Sequence, residues 1–94
     1  MIDGQIISIA ANTELIVVGK DFDQPGHQIM VFEVVSGSLV RSFGERGRGP
    51  GQVDGCYGIR FTLNGVSILI ADLCNHRISD WTIGGELLRN VGMA

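Results

Sequence analysis

The sequence predicts an all-β fold made of two four-stranded antiparallel sheets. Apolar runs of about five residues, rich in Val, Ile and Phe, recur between Gly, Asn and Ser, which is the composition of short strands. Tight-turn residues separate the runs at hairpin spacing. The second half of the chain then repeats the first at a nearly constant offset, the mark of stacked supersecondary units.

Taken in order, strands are expected near 5–10, 15–18, 28–35 and 38–43, then near 58–63, 67–71, 77–83 and 86–91. The connections "NTE" at 12–14, "SG" at 36–37, "NG" at 64–65 and "GG" at 84–85 carry Asn and Gly, which tolerate the positive φ of tight turns. Consecutive strands should therefore pair as antiparallel meanders, and no segment calls for a helix. His27, Gln28, Ile29 and Phe32 correspond to His76, Arg77, Ile78 and Trp81 at a separation of 49, and Leu39, Arg41 and Gly44 to Leu87, Arg89 and Gly92 at 48. The slip of one residue falls in the turn between Phe32 and Leu39.

Composition bounds the function. A chain of 94 residues buries only about 65 % of the surface its unfolded form exposes, so the core is thin. Its 45 % hydrophobic and 18 % charged residues exclude a disordered tail. A formal net charge of -3 lacks the electrostatic footprint of a general nucleic-acid binder. The longest apolar runs, "LIVV" at 15–18 and "SILIA" at 67–71, fall far short of the roughly 18 residues that a membrane-spanning helix needs, so no membrane role is expected. The first residues show no basic n-region of a secretory signal, which leans the reading toward the cytosol. Cys56 and Cys74 lack CxxC spacing and read as free thiols.

The run Gly49-Pro50-Gly51-Gln52, then Gly58-Ile59, Asn64-Gly65, Ala71-Asp72 and Asn75-His76-Arg77-Ile78, resembles the NHL repeat, whose copies form the four-stranded blades of β-propellers. Residues 44–92 match in order and spacing. Residues 5–44 look like a degenerate copy with extra residues in "GKDFDQPGH" at 19–27. The resemblance implies blade one over about 5–44 and blade two over about 45–92. Departures are Val53 where the family prefers Phe, Cys56 where it often has Pro, and Asp80 where the first copy has Val31. Propellers use about four to eight blades, so two do not close a ring. The chain is then either part of a longer propeller or a unit of which several copies close the ring, six blades from three chains being the natural version.

In this reading residues 44–57, with "RGRGPGQVDG" at 46–55, are the long connection between the outer strand of one blade and the inner strand of the next. Its glycines let the backbone turn, Pro50 stiffens it, and Gln52 is suited to bonding loop backbone groups. It lacks the GxxxxGK[ST] order and leads into a strand, so it is not a phosphate loop. Asp72 and Asn75 suit a turn closed by side chain to backbone bonds, and the resemblance gives that turn a structural role. A metal reading needs three converging ligands, and the two histidines, His27 and His76, fall in different blades. No cofactor is implied.

The leading functional expectation is a non-enzymatic protein-interaction module whose loop face, 44–57 and 72–76, contacts a protein partner. Arg46, Arg48, Tyr57, Arg60, Asp72, Asn75 and His76 are its candidate binding residues, since long loops on a rigid scaffold are where binding groups sit. Some NHL-like propellers resemble metal-dependent lyases or lactone hydrolases, which would use Asp72, Asn75 and His76. Others bind single-stranded RNA, which requires a basic face.

Overall fold

In the computed structural model, residues 5–20, 26–62 and 64–92 are described, and they form two β-sheets. The first sheet contains β1 (Ile6–Ala11), β2 (Leu15–Lys20), β3 (His27–Glu33), β4 (Leu39–Arg46) and the short β5 (Gln52–Val53), in that spatial order. The second contains β6 (Cys56–Phe61), β7 (Ser67–Asp72), β8 (Arg77–Thr82) and β9 (Leu87–Gly92). Among the described residues no helix is long and apolar enough to cross a membrane. Of the expectations above, residues 1–4, Leu63 and residues 21–25 of the extra stretch lie outside the described residues.

Turn chemistry explains why the meanders close where they do. Asn12 Oδ1 accepts the N–H groups of Glu14 and Leu15, both at 2.8 Å, which bends the chain between β1 and β2. Asn64 Oδ1 accepts the N–H of Val66 at 3.3 Å between β6 and β7. A single 3₁₀ turn, Leu73–Asn75, links β7 to β8 and ends on His76 in the left-handed region at φ 53°.

One expectation needs correcting: the first sheet has five strands, not four. The fifth is the returning end of the long connection, where Glu45 and Arg46 pair in parallel with Gln52 and Val53. Burial of Val53, which has no exposed surface, gives this return its driving force. β4 accordingly runs to Arg46, beyond the expected end at 43.

The sheets pack face to face. Val17, Ile29, Val31 and Phe43 of the first sheet meet Cys56, Ile59, Ile68, Ile70 and Trp81 of the second, and Val53 joins them. All are at most 6 % exposed, and each large aliphatic enclosed in this way contributes on the order of 1.5–3 kcal/mol. The Phe43 and Trp81 rings lie 4.8 Å apart, centroid to centroid, tilted by 35°. β1 and β6 come side by side, tied by Ser8 Oγ donating to the Cys56 carbonyl at 2.6 Å. Gly19 makes this approach possible, because a Cβ there would lie 2.9 Å from Cys56 Sγ.

Candidate functional site

The long connection and the β7–β8 turn meet at one end of the packed sheets, around two buried charges. Asp72 is fully enclosed, and Arg77 is 8 % exposed. Arg77 Nε donates to Asp72 Oδ2 at 2.9 Å. Its other nitrogens donate to the carbonyls of Arg48 (3.2 Å), Gly49 (2.8 Å) and Gln52 (2.8 Å). The planar guanidinium thus holds three loop carbonyls in one plane while its charge faces a carboxylate.

Asp72 is shared further. Its Oδ1 accepts the Asp54 N–H at 2.7 Å, and its Oδ2 accepts Asn75 Nδ2 at 3.0 Å. Asn75 Nδ2 also donates to the Gly47 carbonyl at 2.9 Å. Within the loop, Gln52 Oε1 accepts the Gly49 N–H at 2.8 Å, as the loop chemistry anticipated. Gly47, at φ 155°, leaves room for that amide: a Cβ there would collide with it. Glycine, Gln52, Asn75, Asp72 and Arg77 therefore form one latch, which ties the second sheet to the loop that feeds it.

This geometry sorts the candidate residues. Asp72 and Asn75 come together and face inward, with both Asp72 oxygens and the Asn75 Nδ2 bonded within the fold. Arg46 is exposed and lies 3.7 Å from Asp54. Arg48 uses its carbonyl in the latch and is itself exposed. Tyr57 is 51 % exposed at the start of β6. His76 is exposed in the left-handed turn, and its N–H is bonded to the Leu73 carbonyl. Arg60 lies farther along β6, in an open concavity that it shares with Tyr57 and that Ser8, Ile9, Leu69 and Ile78 also line.

Two residues gain importance beyond the sequence reading. Arg77 is the hub of the latch, and Leu73, 57 % exposed, is the apolar tip of the turn. The signal for Arg77 was the neighbouring Asp72 and Asn75, which left a cation as the natural third member. At the equivalent place in the first sheet, Gln28 is also fully buried, with Nε2 donating to the Gly26 carbonyl at 3.3 Å. His27, the counterpart of His76, is bonded through Nδ1 to Ser42 Oγ at 2.7 Å. Among the described residues no three His, Cys, Asp or Glu side chains converge as a metal site.

The cysteines are both free, one buried and one exposed. Desolvation pushes the Cys56 thiol up to about 11, outweighing the backbone hydrogen bonds that stabilise its thiolate. A neutral-pH thiol reagent should therefore label Cys74 alone in native protein and reach Cys56 only after denaturant is added. Labelling of both at equal rates in native protein would contradict the packing around Cys56. No family model matches this chain, and no curated protein matches it at a significant level.

Proposed function

We propose that the chain is a non-enzymatic protein-interaction module of the NHL-repeat β-propeller type, which presents its loop face to a protein partner. The observation that carries this reading is the latch. Loops that bind must be exposed yet held, since ordering a mobile loop on binding costs affinity. Arg77 fixes the carbonyls of Arg48, Gly49 and Gln52, while the side chains of Arg48, Tyr57, Leu73 and His76 remain exposed. Aromatic and arginine side chains on a rigid frame are the usual anchors of protein contacts. Support for the repeat type comes from two meanders packed face to face with adjacent first strands, together with the repeated residues of the sequence.

The latch also argues against Asp72 and Asn75 as catalytic or metal-binding groups. Both Asp72 oxygens and the Asn75 Nδ2 are already bonded within the fold, so freeing them would dismantle the loop. The test is affinity capture from an extract of the source cells with wild-type protein and with the triple variant Arg48→Ala, Tyr57→Ala, Leu73→Ser. Loss of the retained proteins at unchanged Tm is expected, because these side chains are outside the core. Retention of the same proteins by the variant would overturn the loop-face assignment.

A further inference from the structure

Each sheet has two faces, and among the described residues the core between the sheets is built from one face of each; on the other face of the first sheet Val18 is enclosed, at 3 % exposed, while its neighbours are more open. The strand registers define which positions are equivalent. Gly19, Ile29 and Phe43 lie side by side across β2, β3 and β4, as Ala71, Ile78 and Val91 do across β7, β8 and β9. On the opposite faces, Ile9, Val18 and Met30 match Ile59, Ile70 and Ser79 in the same way.

The contact inside the chain joins unlike faces. The Ile29 face of the first sheet packs on the Ile59 face of the second, and both isoleucines are at most 6 % exposed. What remains open is the complementary pair. On the second sheet, Ile78 and Val91 are each 47 % exposed, although their counterparts Ile29 and Phe43 are core. On the first sheet, Ile9 is 63 % exposed, although its counterpart Ile59 is core, and Ile16, Met30 and Phe32 beside it are half-buried. Every molecule thus carries one satisfied copy of this contact and both halves of a second, unsatisfied one.

We propose that a second copy of this chain covers these faces, with the Ile78 face of one molecule seated on the Ile9 face of the next. The contact is heterologous, head to tail, and continues the register of the internal interface. Like faces would not suit each other, because the internal packing shows the Ile29-type face meeting the Ile59-type face. Polar groups on the free face fit the same geometry. Arg41 of the first sheet reaches across the internal interface, with Nη1 donating to the Gly84 carbonyl of the β8–β9 hairpin at 3.2 Å. Its counterpart Arg89 lies on the free face, 3.6 Å from Asp80, placed to reach the β3–β4 hairpin of the next molecule. Asp80 replaces the apolar Val31 at this position, which makes the contact between molecules weaker than the one within them and so dependent on concentration. Rings of four-stranded sheets close with about four to eight sheets, which corresponds to two to four chains.

The experiment is light scattering coupled to size exclusion on the full 10.1 kDa chain at several hundred micromolar. Wild type, Ile9→Arg and Ile78→Arg are measured singly, and the two variants are measured mixed. Wild type should give one discrete mass between two and four chains, and each variant alone a monomer. The mixture should give a species of two chains, since the intact Ile78 face of one variant meets the intact Ile9 face of the other. A monomeric wild type, an oligomer persisting in either variant alone, or a mixture that stays monomeric would each overturn the proposal. Both isoleucines are exposed in the single chain, so the far-ultraviolet circular dichroism of the variants should match wild type. If an arginine disturbs it, Ile9→Ser and Ile78→Ser provide the same comparison. Tyr57 and Leu73 border the Ile78 face, whereas Arg48 lines neither concavity that Ile78 lines, so the mass of Arg48→Ala should match wild type whatever its partner capture, and failure of one reading leaves the other standing.

Discussion

Arg77→Ala is expected to lower Tm by on the order of 20 °C, enough to leave much of a small domain unfolded near 37 °C. Two effects combine. The Asp72 carboxylate, with a fully buried side chain, loses its charge partner, and removing one member of a buried pair costs about 3–5 kcal/mol. The carbonyls of Arg48, Gly49 and Gln52 lose their shared donor at the same time. A domain of this size holds roughly 5–15 kcal/mol in total, so the loss is a large fraction of it. Asp72→Ala should be similarly severe, because it strands the guanidinium and the Asp54 N–H. The double variant should cost clearly less than the sum of the two, since the uncompensated charge disappears. Arg77→Lys should recover only part, because an ammonium cannot hold one carboxylate and three carbonyls in a plane. A drop of only a few degrees in Arg77→Ala, measured by thermal unfolding, would show that the latch is not a stabilising element.

Trp81→Ala should cost about 3–5 kcal/mol, as expected for deleting a large aromatic from a packed core. The indole is 2 % exposed and stacks at a tilt on Phe43, so its loss opens a void between the two sheets, not within either. Trp81→Phe should be far milder. It keeps a ring against Phe43, and it removes the buried indole N–H, which has no hydrogen-bond partner among the described residues. Denaturant unfolding of both variants distinguishes the effects. Equal destabilisation would mean that the indole nitrogen contributes a bond absent from this account.

The strands themselves were legible because β-branched runs and Asn or Gly turns state them locally. All eight expected strands occur, with boundaries displaced by up to three residues. β5 was not legible, since two residues in parallel pairing have no periodicity and exist only because the loop folds back to bury Val53. Nor was the buried face of each sheet. Ile29 and Ile78 occupy the same place in the repeat, yet one is enclosed and the other is half open. The difference lies in whether a neighbouring sheet is present, which no single strand encodes.

At the site, Asp72 and Asn75 were readable as turn formers because their short polar side chains bond nearby backbone. Arg77 was less so, because an arginine at the head of a strand ordinarily points to solvent. Its burial depends on carbonyls contributed from 25 to 29 residues away. Tyr57 and Arg48 were singled out by residue type, and both are exposed.

The face-to-face packing of the two sheets underlies the latch, the free faces and the proposed assembly alike. It is tested most directly by nuclear Overhauser contacts between the ring protons of Phe43 in β4 and the indole protons of Trp81 in β8. The chain has one Trp and four Phe, so the Phe43 ring signals are assigned by their loss in Phe43→Leu. At a centroid separation of 4.8 Å, strong cross-peaks are predicted. Their absence, with Trp81 emission at the wavelength of solvated indole, would contradict the account.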